Sequence, residues 1–394
     1  MNVKKSENYI KVSTKVDFNY NVIYQIQGVN LMNFYKRIIF VFSCSVALVF
    51  AKDVTPQQIG SMLMVGFYGT SVSSESQICK DISKYNLAGV ILFDYNPVDR
   101  NTPKNIASKD QLAKLTKELQ NCSKDKTLLI AVDQEGGKVQ RLKSSYGFLG
   151  NFPSAQDVAK MDDAQTMQTY TMMAKELKSV GINYDLAPVV DLALNSSNYV
   201  IYQLKRSFGD NPQAVAKKAD LFMDAMHKEG ILTSLKHFPG HGSSLGDTHK
   251  GYVDVSNVWS KIELEPYKIL GNKADSVMVA HVFNAKIDES HPASLSRKTI
   301  NGILRGELGY DGVVITDDLQ MGAIAKSYEL NDILRLGINA GNDILLFGNQ
   351  LDPNRTISVE LLVNSIKDMV SSGQIAPATI HQASKRVELL KQKL

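Results

Sequence analysis

The chain has 394 residues, 44% hydrophobic and 21% charged, a globular composition that excludes disordered and collagen-like classes and supplies apolar material for one large core. Its formal charge of +4 is concentrated before residue 52, where Lys4, Lys5, Lys11, Lys15, Lys36 and Arg37 stand against Glu7 and Asp17, leaving 38 basic and 38 acidic residues in the remainder. No basic surface is left over for nucleic acid, whose binding needs clustered Lys and Arg against phosphates.

Along the chain, Lys36-Arg37 precedes an uncharged apolar run, Ile38–Ala51. That run is short for a helix crossing a ~30 Å hydrocarbon core but has the length of a signal-peptide apolar region. Met32 is the better-placed start, so residues 1–31 read as an upstream extension and 32–51 as an export signal ending Val49-Phe50-Ala51. An uncleaved inner-membrane anchor is the alternative. Cys44, inside the run, lacks the neighbours of a lipoprotein site. The expected location is the periplasm, or the cytoplasm if the run is not a signal. Of the remaining cysteines, Cys79 and Cys122, a disulfide is permitted in an exported chain, and two buried thiols are the other reading.

From residue 60 onward one grammar repeats: an apolar run, a loop, an amphipathic stretch. The runs are Met62–Phe67, Ala88–Phe93, Leu128–Val132, Asn183–Val190, Ile231–Leu235, Ser276–Ala280, Gly312–Thr316 and Asp343–Phe347. Short apolar runs alternating with helices imply a parallel sheet buried on both faces, and eight such units close a (β/α)₈ barrel. Helical periodicity covers Ser108–Gln120, Ala164–Val180, Pro212–Lys228, Leu264–Leu270, Arg297–Leu308 and Asn331–Ala340. A last pair, Ile357–Val370 and Thr379–Leu390, is expected to cover the barrel outside. The barrel is one domain, 53–394, with no linker.

Polar residues follow several apolar runs directly: Asp133, Asp191, Lys236-His237, His281 and Asp317. The C-terminal ends of barrel strands form the floor of the active site, so these side chains are expected in one pocket. The segment Lys236-His237-Phe238-Pro239-Gly240-His241-Gly242, continuing to Asp247-Thr248-His249, resembles the signature of the single-domain β-N-acetylglucosaminidases of glycoside hydrolase family 3, KHFPGHG followed by D-S-H. Thr248 replaces the usual serine. The resemblance extends through DQEGGKVQR at 133–141, LAPVVDL at 186–192, RSFGD at 206–210 and VVITDDLQM at 313–321.

The resemblance implies a retaining β-N-acetylhexosaminidase without a cofactor or metal. Asp317 is implied as covalent nucleophile and His249 as acid/base, with Asp247 as its partner. Asp133, Arg141, Arg206, Lys236 and His237 are implied as the residues that hold N-acetylglucosamine. These residue types suit the chemistry. An oxocarbenium-like transition state needs a carboxylate below the anomeric carbon and an acid at the leaving oxygen, and an imidazole near its reference pKa serves as acid and then as base. Asp318 is the rival to Asp317, but neighbours on an extended strand point to opposite faces, so Asp318 is assigned to hydrogen bonding or capping. The loop Gly242–Gly246 is expected to close over bound sugar. Asp191 is expected to orient Arg206 or Lys236, and His241 either to touch sugar or to brace the loop.

A metal-dependent barrel hydrolase using His237, His241, His249 and Asp317 is the competing enzyme class, although Pro239 and Gly240 make the His-x₃-His spacing a loop rather than a helical ligand pair. A non-catalytic sugar-binding protein, transglycosylation, and attack by the substrate's own acetamido oxygen are the remaining alternatives. The implied partner is an N-acetylglucosamine-containing glycan, with peptidoglycan fragments the expected source and chitin fragments the other. A monomer is expected.

Overall fold

The computed structural model describes residues 12–16, 22–26, 53–351 and 353–394. Met32, the Lys36-Arg37 pair, Cys44 and the run Ile38–Ala51 lie outside them. Upstream, β1 (Val12–Val16) pairs antiparallel with β2 (Val22–Ile26), Val12 opposite Ile26. These strands belong to a unit separate from residues 51–394.

In the larger unit, all eight apolar runs become parallel strands: β3 (Leu63–Gly66), β4 (Gly89–Ile91), β5 (Leu129–Val132), β6 (Tyr184–Asp185), β7 (Leu232–Phe238), β8 (Ser276–Val279), β9 (Val313–Thr316) and β10 (Leu345–Phe347). They pair in the order β10-β3-β4-β5-β6-β7-β8-β9. The ring is completed by Ile344 N donating to Val314 O at 3.0 Å and Thr316 N to Ile344 O at 3.0 Å. Side chains alternate across this wall. Met64, Ile91, Leu129, Ala131, Met278 and Ile315 belong to one buried cluster that fills the barrel, while neighbours such as Val65, Val90, Ile130 and Val314 pack in the cluster shared with the helices. This is the (β/α)₈ barrel expected from the sequence.

Two strands depart from their expected bounds, both where the site is built. β6 ends at Asp185 rather than Val190: Pro188 has no N–H for the ladder, Ala187 O still accepts from Ser234 N at 2.9 Å, and bridge pairing resumes between Val189 and Lys236. β7 runs past Leu235 to Phe238. Its register against β8 slips between Leu235, opposite Val277, and Phe238, opposite Val279, an irregularity of the bulge type that re-aims side chains at a strand end.

Helix 298–307 is wound more widely than an α-helix, as in the Leu308 N to Ile303 O bond of 2.9 Å. The last helix, Pro377–Lys391, corrects one expectation. Instead of lying on the outside of the wall, it spans the end where the strands begin. Val387 and Leu390 join the interior cluster, and Lys391 Nζ donates to Leu87 O at 2.7 Å. The last helix thus shuts the bottom of the barrel, leaving the opposite rim for chemistry. Cys79, in helix Gln77–Tyr85, and Cys122, ending helix Lys109–Cys122, form a disulfide with Cα atoms 5.1 Å apart, which decides between the two cysteine readings.

Candidate active site

β5 delivers its last apolar residue, Val132, into the wall and then releases Asp133, Gln134 and Glu135 in alternating directions at the rim. Asp133 and Glu135 turn toward the same cations. Lys236 Nζ, 2% exposed, donates to Asp133 Oδ1 at 2.9 Å and lies 2.7 Å from Glu135 Oε1. Both oxygens of Glu135 accept from Arg206, Nε to Oε2 and Nη2 to Oε1 at 2.7 Å each, the bidentate fork that fits a guanidinium to a carboxylate. Arg141 Nη2 donates to Asp133 Oδ2 at 3.0 Å, and its Nη1 lies 3.7 Å from Asp94. Burial alone would raise the carboxyl pKa values, yet the charges of Lys236 and Arg141 hold Asp133 well below the usual range, and those of Arg206 and Lys236 do the same for Glu135. Alternating charges meet the desolvation cost of the cluster, which an unpaired buried ion could not. An ammonium has three donors, and two of those on Lys236 are used here.

His237, beside Lys236 on the irregular stretch of β7, points into the same end of the barrel. Its Nε2 is 3.3 Å from Arg206 Nη2 and its Nδ1 is 2.6 Å from Asp191 Oδ2. Arginine can only donate, so Nε2 accepts and Nδ1 carries the proton given to Asp191. Asp191 also accepts from the backbone N–H of His241 at 2.8 Å. This corrects the expectation that Asp191 orients Arg206 or Lys236, since its hydrogen bonds go to His237 and the loop after β7. His241 is buried, its Nδ1 2.7 Å from Ser244 Oγ. Its loop-bracing reading is the one the contacts support.

Asp317 leaves β9 immediately after Thr316 and is half-buried. Its Oδ1 accepts from the N–H of Asp318 at 2.8 Å, which leaves Oδ2 for a ligand. Desolvation pushes its pKa up, but the fields of His281, His237 and His249 prevail and hold it below the ordinary carboxylate value. Asp318 faces the other way, as expected from strand alternation. Its Oδ1 accepts the N–H groups of Gln320 at 3.0 Å and Gly348 at 3.1 Å, and burial raises its pKa to about 6. His281 fixes the same peptide: Nε2 donates to Asp318 O at 2.9 Å while Nδ1 accepts from Ser294 Oγ at 2.7 Å.

The segment Asp247–His249 stands on the same rim. His249 Nδ1 lies 2.9 Å from Asp247 Oδ1, with 56% of the histidine side chain exposed. Desolvation acts to lower the His249 pKa, and the Asp247 hydrogen bond together with the charges of Asp317 and Asp247 raises it on balance, an effect damped by water around the exposed ring. Backbone bonds dock this segment on the chain that follows Asp317: Ala323 N donates to Thr248 O at 3.1 Å and Gly322 N to His249 O at 3.3 Å. All eight residues singled out by the resemblance therefore meet at one end of the barrel. Among the described residues, no three His, Cys, Asp or Glu side chains are arranged to hold a metal ion.

Sequence reading overlooked three contributors. Glu135 lies inside the motif at 133–141, and its i, i+2 spacing from Asp133 on extended chain is the signal that points to it. Lys104 is buried between the rings of Phe93 and Tyr68, donates to Gly348 O at 3.0 Å and Asn349 O at 2.6 Å, and is brought by burial to a pKa of about 7. Glu263 accepts from Gly242 N at 2.9 Å and from the Ser243 hydroxyl. Neither Lys104 nor Glu263 belongs to a recognisable motif, and only tertiary packing brings them here.

Residues 54–390 match the family described as "Glycosyl hydrolase family 3 N terminal domain". A β-hexosaminidase A of Pseudoalteromonas piscicida is 31% identical over 86% of this chain, which spans 61% of that protein. A β-hexosaminidase of Xanthomonas campestris is 34% identical over 72% of this chain and 83% of its own length. Among solved structures, a family 3 β-N-acetylglucosaminidase from Paenibacillus matches with TM-score 0.77 and 32% identity, over 86% of this chain and 62% of that one. A β-N-acetylhexosaminidase from Beutenbergia cavernae matches with TM-score 0.75 and 29% identity, over 86% of this chain and 99% of that one. The chain spans less than two thirds of the first relative in each comparison, yet the matched segment is its whole barrel, and the chain belongs to glycosyl hydrolase family 3.

Proposed function

We propose that the barrel is a retaining β-N-acetylhexosaminidase that removes terminal β-linked N-acetylglucosamine by way of a glycosyl ester on Asp317. The observation that carries this reading is the docking of the His249 segment on residues 322–323, just beyond Asp317, with each group's charge acting on the other. In the first step Asp317 Oδ2 forms a bond to the anomeric carbon while the bond to the leaving oxygen breaks, and His249 Nε2 gives that oxygen its proton. Asp247, accepting from Nδ1, stabilises the imidazolium whose Nε2 proton is given up, and then holds the neutral ring with its proton on Nδ1 so that Nε2 is bare to act as base. In the second step His249 takes a proton from water, whose oxygen displaces Asp317 from the sugar. Two displacements retain configuration.

Asp133, Arg141, Arg206, Lys236 and His237 are assigned to the hydroxyls and acetamido group of the sugar. Their ion pairs hold the donors rigid before substrate arrives, so little reorganisation is needed on binding. Peptidoglycan fragments are the proposed source of the glycan, acted on by a monomer outside the cytoplasm. The disulfide supports that location, because such bonds persist in oxidising compartments. Release of a chromophore from an aryl β-N-acetylglucosaminide, with the β-anomer of the sugar formed first by NMR, is expected. Binding of the sugar without turnover, or first formation of the α-anomer, would overturn the reading.

A further inference from the structure

The loop after β7 is two mechanical pieces. In its root, four consecutive backbone carbonyls are held by the side-chain amides of two asparagines from the loop after β6. Asn198 Nδ2 reaches His241 O at 2.8 Å and Gly242 O at 3.2 Å, and Asn195 Nδ2 reaches Ser243 O at 3.3 Å and Ser244 O at 3.1 Å. Asn198 is fully buried, meets Ser244 Oγ at 3.1 Å, and uses its own Oδ1 to accept from Ile201 N at 2.8 Å. From the other side Asp191 and Glu263 accept the N–H groups of His241 and Gly242. Beyond Ser244 the character changes. Leu245 is 69% exposed, and the hydrogen bonds that dock the tip bearing Asp247 and His249 on residues 322–326 run through its carbonyls.

We infer that Asn198, assisted by Asn195, is a positioning residue for the His249–Asp247 pair. By locking residues 241–244, the two amides confine movement to the tip and fix the point from which His249 reaches the leaving oxygen. His241 O keeps Ser244 N as a second donor at 3.3 Å, but the carbonyls of Gly242, Ser243 and Ser244, deprived of these amides, would turn toward water and carry the root with them. The same asparagine caps the turn 199–203, and Arg206 Nη1 donates to Val200 O at 3.1 Å within it, so one residue ties the proton donor's loop to the sugar-holding cation's loop. This inference rests on the acid/base assignment of His249.

The test compares two leaving groups. A β-linked N-acetylglucosamine disaccharide has an alcohol leaving group that needs a proton, whereas a dinitrophenyl β-N-acetylglucosaminide departs without one. In Asn198→Ala, kcat/KM on the disaccharide is expected to fall on the order of 10- to 100-fold, the effect of misplacing a reacting group by about 1 Å, and on the dinitrophenyl glycoside by less than about 3-fold. Asn198→Asp, of the same shape, is expected to show the same bias, and Asn195→Ala on its half-buried site a smaller one. Equal losses on both substrates with an unchanged Tm would overturn the inference. Amide hydrogen exchange provides a readout free of turnover. Residues 242–249 are expected to exchange faster in Asn198→Ala while the barrel strands do not change, and unchanged exchange in the loop would contradict the inference. Turnover by the parent protein tests the glycosidase reading, while the substrate bias and exchange test the clamp, so each can fail alone.

Discussion

Asp247 Oδ1 accepts both the backbone N–H of His249 at 3.0 Å and, at 2.9 Å, the Nδ1 proton of the same residue. One carboxylate oxygen therefore sets where the imidazole sits and leaves Nε2 as the nitrogen directed away from Asp247. Because Asp247 raises the His249 pKa, the alkaline limb of kcat/KM is expected above the ordinary value of 6.5. Asp247→Asn removes the charge, so that limb moves to lower pH, and kcat/KM on a disaccharide falls by about 10²-fold or more. A pH profile from 4 to 9 on parent and variant checks both. An unmoved limb would remove Asp247 from the pair.

Glu135 is expected to matter as much as the residues recognised first. Its loss leaves Arg206 and Lys236 facing each other without the carboxylate that both contact. Glu135→Ala is expected to cost about 3 kcal/mol of stability, as removal of one partner from a buried ion pair does. Glu135→Gln keeps the shape and is expected to lower kcat/KM by about 10²-fold, through the altered direction of both cations. Urea unfolding and steady-state kinetics measure the two effects.

Glu263 gives stability a pH signature. Burial raises its pKa from 4.5 to about 7, outweighing its hydrogen bonds from Ser243 and Gly242. The folded state then holds a proton that the unfolded chain has already released. Stability from this group is complete below pH 4.5 and declines as pH rises toward 7. Glu263→Gln is expected to flatten that slope, by up to about 3 kcal/mol between its ends, in urea midpoints taken at several pH values.

The Cys79–Cys122 disulfide closes a loop with a sequence separation of 43. Chain-entropy reasoning gives about 4 kcal/mol for a loop of that size. The double substitution to serine is expected to lower Tm by several degrees without changing KM, because helices 77–85 and 109–122 lie in the outer layer and contribute no member of the site. Calorimetry with and without reductant checks it, and thiol titration of the denatured, unreduced protein should find neither of these two cysteines free.

The barrel was legible because burial on both faces forces eight continuous apolar runs, and each run became a strand. The candidate site residues were legible where they follow a run directly, as Asp133 and Asp317 do, or lie in a motif, as His249 does. Asp191 was misassigned because sequence spacing cannot tell which neighbouring strand a rim carboxylate will address, and the register slip in β7 turned His237 toward it. Lys104, Glu263 and Asn198 were invisible for a related reason. Their function lies in which backbone carbonyl or N–H they meet, and that depends on loops folding against each other. The last helix, amphipathic like the others, gave no sign that it would plug the barrel end.

The proposed mechanism rests on a covalent bond between Asp317 and the sugar. A slow fluorinated N-acetylglucosaminyl substrate, incubated with the protein, digested and analysed by mass spectrometry, tests it most directly. One added glycosyl group on the peptide containing Asp317, absent in Asp317→Asn, is the result predicted. A label on another carboxylate, or turnover of the substrate by the parent with an oxazoline from its own acetamido group as the only intermediate, would contradict it.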